Sequence, residues 1–69
     1  MIDAKTVEEI EFMLKYCEKK NELYHQYAID QITRHDKVGR SGLTADELFE
    51  NTQKCKRAIE RIKQIIDTN

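Results

Sequence analysis

Proline and tryptophan are absent from this 69-residue sequence, and glycine and cysteine occur twice each. Long apolar runs are missing as well. The longest, such as Phe12-Met13-Leu14, are three residues, against the roughly 20 that a membrane span needs. A secretory signal needs an apolar stretch of about 7–15 residues, whereas residues 1–6 lead straight into a charged segment. These absences predict a cytoplasmic chain with no membrane association. Two cysteines with 37 residues between them do not make a disulfide framework.

Charge of one sign is missing too. Twelve Lys plus Arg stand against thirteen Asp plus Glu, for a net charge of −1. Dedicated nucleic-acid binders usually have a pI above about 9, and here it is ≈ 6.1. Below roughly 70–80 residues one hydrophobic core rarely supplies more than about 3–5 kcal/mol. A walled catalytic pocket would therefore require several copies of the chain.

Both glycines, Gly39 and Gly42, fall in one short window, and neither Gly nor Pro occurs elsewhere. These are the strongest helix punctuators. Their clustering predicts a single domain: a helix over about 4–36, a loop over about 37–43 and a helix over about 45–67. The first helix has two candidate starts. Asp3 can cap it, with Ile2 and Val7 as a hydrophobic staple, or Thr6 and Glu9 can form a capping box. The second start is unambiguous, because Thr44 and Glu47 have capping-box spacing with Leu43 and Leu48 at the staple positions. Asp46, Glu47 and Glu50 sit early in this helix, and Lys56, Arg57, Arg61 and Lys63 later, as the helix dipole favours.

Alternating 3-4 spacing runs through Val7, Ile10, Leu14, Cys17, Asn21, Tyr24, Ala28 and Gln31. It recurs through Leu48, Thr52, Cys55, Ile59, Ile62 and Ile66. Such seams belong to helices crossing at about +20°, so the two should face each other in an antiparallel hairpin. Asn21 either fixes register as a polar seam residue or faces water where the seam bends away. Cys17 and Cys55 read as small buried hydrophobes. In the hairpin they fall roughly 13 Å apart along the axis, too far for a disulfide.

Phe12, Tyr16, Leu23 and Tyr27 form a further stripe, spaced 4, 7 and 4 residues apart and about 100° around the helix from the seam. One neighbouring helix cannot cover so wide an arc. The second helix also has flanking apolar residues in Phe49, Ala58 and Ile65. The stripe is therefore the candidate interaction surface, and a homodimeric four-helix bundle the expected assembly.

No motif singles out a chemistry. His25 and His35 lie ten residues apart, without the close spacing of helical zinc ligands. Glu18 and Glu22 lack the Glu-x-x-His pattern of di-iron bundles. The loop lacks the preceding strand and Gly-Lys-Ser/Thr ending of a phosphate-binding loop. No catalytic residue, cofactor or metal is expected. Between residues 54 and 63 five basic residues face one acid. Lys54, Arg57 and Arg61 share the face away from the seam, with Lys37 and Arg40 of the loop as further cations. These charges read first as a solvated face and second as a phosphate contact. The expectation is a small non-enzymatic regulator, inhibitor or adaptor with a protein partner. The alternative is a nucleic-acid-associated accessory protein.

Overall fold

A computed structural model describes residues 2–39 and 41–68. Two helices, α1 (Ala4–Arg34) and α2 (Ala45–Asp67), pack against each other as an antiparallel hairpin of 48 × 15 × 15 Å. The radius of gyration is 15.0 Å, well above the roughly 11 Å of a compact 69-residue domain. No helix among the described residues is long and apolar enough to cross a membrane.

Of the two possible starts of α1, the Asp3 cap is the one formed. The Thr6 backbone N–H donates to Asp3 Oδ1 at 2.7 Å, which places Thr6 inside the helix. That bond holds the Asp3 carboxyl below its ordinary value, because the donor stabilises the charged form. At the other end α1 stops at Arg34, two residues short of the expected Asp36. His35 turns left-handed, at φ 60° and ψ 31°, and its N–H closes on the Gln31 and Ile32 carbonyls. A left-handed residue ends the helical hydrogen-bond ladder, and here it is not the usual glycine.

α2 begins with the full capping box. Thr44 Oγ1 accepts from the Glu47 N–H at 3.2 Å, and the Thr44 N–H donates to Glu47 Oε1 at 3.2 Å. Leu48, at the staple position, is the largest fully buried side chain among the described residues.

The apolar core is small: Leu14 and Ala28 of α1, Leu48 and Ile59 of α2. Polar seam residues lock the register around it. Asn21 Nδ2 donates to the Thr52 carbonyl at 3.0 Å, so the seam does not bend away at Asn21. Gln31, 3% exposed, donates through Nε2 to the Leu43 carbonyl at 3.0 Å. Further along, Lys63 is paired with Glu18. These links nest in antiparallel order, 31 with 43, 21 with 52 and 18 with 63.

The loop folds back onto α1. The Gly42 N–H donates to the Gly39 carbonyl at 3.1 Å, and Gly42 has φ 77°. Gly39 lies so close to Gln31 that a Cβ there would stand 2.6–2.7 Å from its side chain.

Candidate functional site

The expected stripe on α1 is open to solvent along most of its length. Phe12 is 76% exposed, Tyr16 60% and Leu23 43%, while Tyr27 is half-buried. Fifteen residues separate Phe12 from Tyr27, which at 100° per residue is four turns and about 60° more. The stripe consequently winds around α1. It lies beside α2 at Tyr27 and has turned away from it at Phe12.

Along α1 the aromatics carry local contacts. Tyr24 and Tyr27 meet edge-to-face with ring centroids 5.8 Å apart. Lys20 Nζ sits 5.8 Å from the centroid of the Tyr16 ring, in a cation–π position worth about 0.5–1 kcal/mol at an exposed site.

The opposite side of the hairpin has a different character. There a shallow groove is lined by Glu18, Glu22 and His25 of α1 and by Gln53, Glu60 and Lys63 of α2. Glu18 raises the Lys63 ammonium above its ordinary value by accepting its hydrogen bond. At the loop end of this side the His25 ring meets Phe49 edge-on, centroids 5.4 Å apart. Three carboxylates, Glu18, Glu22 and Glu60, face the groove together with Lys56 and Lys63, so it presents no single sign of charge to a ligand.

Lys54, Arg57 and Arg61 are all exposed on the outer face of α2. Lys54 pairs with Glu50 at 3.2 Å, a surface contact that adds little stability. Arg40 lies outside the described residues, so the loop's part in a basic end rests on Lys37, which is exposed. Cys17 and Cys55 are free thiols, each part-buried. Among the described residues no group of three or more His, Cys, Asp or Glu is placed to hold a metal ion.

Sequence reasoning took each helix separately and so missed the way their flanks combine. Two right-handed helices running antiparallel with facing seams bring corresponding flanks to the same side. The groove shows which flanks these are: 18, 22 and 25 of α1 lie beside 53, 60 and 63 of α2. At 100° per residue, the other side must hold Met13, Tyr16, Cys17, Lys20, Leu23, Tyr24 and Tyr27 next to Lys54, Cys55, Ala58, Arg61, Ile62 and Ile65. Overlaying the two helical wheels in antiparallel sense is the signal that finds this side. No protein-family model, curated protein or solved structure matches the chain.

Proposed function

We propose that this chain is a small non-enzymatic interaction module, a regulator, inhibitor or adaptor, that self-associates as a homodimeric four-helix bundle and acts through a helical surface. One observation carries the reading: large apolar side chains lie outside the hairpin's core in greater number than inside it. Among the described residues four apolar ones are buried, whereas Phe12, Met13, Tyr16, Ile32, Val38 and Ile65 are each more than half exposed. Exposed apolar surface of this extent marks a site of association. Self-association places part of it in a second core, and what is left remains for a foreign partner.

Sedimentation of the full chain at tens of micromolar tests this. A dimer or larger species is expected. A monomer of 8.2 kDa that keeps its full helicity overturns the reading.

A further inference from the structure

The two sides of the hairpin differ in kind. The groove side is lined by Glu18, Glu22, Gln53, Lys56, Glu60 and Lys63 in its middle and far reaches. Over the same length the other side carries Met13, Tyr16, Tyr24 and Tyr27 against Ala58, Ile62 and Ile65. Its cations are Lys20, whose Nζ sits over the Tyr16 ring, and Lys54 and Arg61 at the outer edge of α2, both exposed. Both thiols are on this side.

We infer that a second copy of this chain docks on the side formed by Met13, Tyr16, Cys17 and Tyr24 of α1 with Ala58 and Ile62 of α2, leaving the charged groove facing solvent. The inference rests on the self-association proposed above and adds which side forms it. Leu23, one heptad from Tyr16, shares its flank, whereas Phe12 turns further outward and stays at the edge of the contact.

Surface area identifies the occupant. The chain exposes 5764 Å², whereas a folded monomer of 8.2 kDa exposes about 4,500 Å². The excess is roughly 1,200 Å² per chain. Two chains covering that excess on each other would bury about 2,400 Å² in all, inside the range of obligate homodimers, roughly 2,000–5,000 Å². A two-fold dimer places the same patch of both copies in contact, and two 48 Å rods laid side by side make a bundle of matching length. A short peptide or a single foreign helix would leave much of the excess wet.

The test compares two exposed positions on opposite sides. Ala58→Arg adds a charge to the apolar side, and Gln53→Arg adds the same charge to the groove side; arginine is a good helix former. Sedimentation equilibrium should show Ala58→Arg raising the dimer dissociation constant at least 100-fold and Gln53→Arg changing it less than threefold. The unaltered chain supplies a second readout. Cys17 and Cys55 should react with an aromatic disulfide reagent at least tenfold more slowly as protein concentration rises through the dimerisation range. That readout decides the matter if Ala58→Arg fails to fold. Equal dimerisation by both variants, or thiol reactivity independent of concentration, overturns this choice of side while self-association stands. A helical monomer of the unaltered chain overturns both.

Discussion

Gly39→Ala places a methyl group where the chain has no room for one. The added Cβ would lie 2.6 Å from Gln31 Oε1 and 2.7 Å from its Cγ and Cδ. A long surface side chain would swing aside at little cost. Gln31 cannot do so, because it is 3% exposed and its Nε2 is held by the Leu43 carbonyl at 3.0 Å. Two responses are open. Either the loop shifts, at the usual cost of overpacking, about 1–3 kcal/mol, or Gln31 is expelled. Expulsion forfeits a hydrogen bond and leaves the part-buried Leu43 carbonyl without its donor, which costs about 1–3 kcal/mol. Loss of the buried stem adds to that. The chain takes the cheaper response, so the expected destabilisation is about 1–3 kcal/mol, and a single kcal/mol moves the midpoint of so small a domain by roughly 4–8 °C.

A double-mutant cycle isolates the contact. Urea unfolding followed by circular dichroism, at one fixed protein concentration because assembly shifts the midpoint, gives the four stabilities. In a Gln31→Ala background the new methyl finds space, and Gly39→Ala should then cost less than about 1 kcal/mol, leaving a coupling of about 1 kcal/mol or more. Gly42→Ala is the internal control. Nothing lies within 4 Å of a Cβ there, but φ is 77°. Its cost of about 1–2 kcal/mol is backbone strain alone and should not change with Gln31. Additivity of Gly39→Ala and Gln31→Ala to within about 0.5 kcal/mol would refute the account of the loop's docking on α1.

Four further outcomes follow from the same geometry. Thr44→Ala should destabilise the chain by about 0.5–2 kcal/mol, and an unchanged denaturation midpoint would show that the capping box contributes nothing. His35→Gly should raise the thermal midpoint by a few degrees, because glycine adopts the φ of 60° without the steric cost borne by other residues; a lower midpoint would mean that the His35 side chain stabilises the turn. The Asp3 pKa is depressed below 3.8 by the Thr6 N–H, so its contribution is present above that pH and fades as pH falls through the folded value. Asp3→Asn should keep the helix start and abolish that acid-side loss, as read by NMR of the first turn; an unaltered acid profile would contradict it. Finally, no salt-sensitive gel shift with DNA or RNA is expected at physiological ionic strength, and one that Arg57→Ala weakens while reducing the salt slope by about one would establish the phosphate-binding alternative.

Much of this architecture is legible in the sequence because local chemistry dictates it. With no proline and both glycines in one window, a single break between two helices follows, and Thr44 with Glu47 fixes where the second begins. The first helix shows where such signals weaken. Asp3 and Thr6 both satisfy the spacing of a cap, and the choice depends on whether residues 4–6 gain by becoming helical. His35 ends the helix without a glycine to announce it; histidine enters the left-handed region more readily than most residues, too slight a preference to mark an end. The Gln31–Leu43 and Asn21–Thr52 bonds depend on how the loop returns, and helical periodicity does not encode that path.

The apolar side of the hairpin is a different case, because its information is local and only its assembly is not. Tyr16, Tyr24 and Tyr27 can be placed on one flank of α1 from their spacing, and Ala58 and Ile65 on one flank of α2. Neither flank alone resembles a binding surface: the first looks like half-exposed aromatics, the second like scattered aliphatics on a charged helix. Once the seams face each other in antiparallel sense, geometry leaves no freedom over which flanks meet. The same operation that joins these apolar flanks also joins Glu18 and Glu22 to Glu60 and Lys63. A hairpin whose charges had been spread evenly for solubility would have mixed the two populations. Here the apolar flanks gather on one side over the middle of both helices, with Lys20 set among them and Lys54 and Arg61 at their edge, and that gathering, more than the exposure of any one aromatic, is the reason to expect a second core.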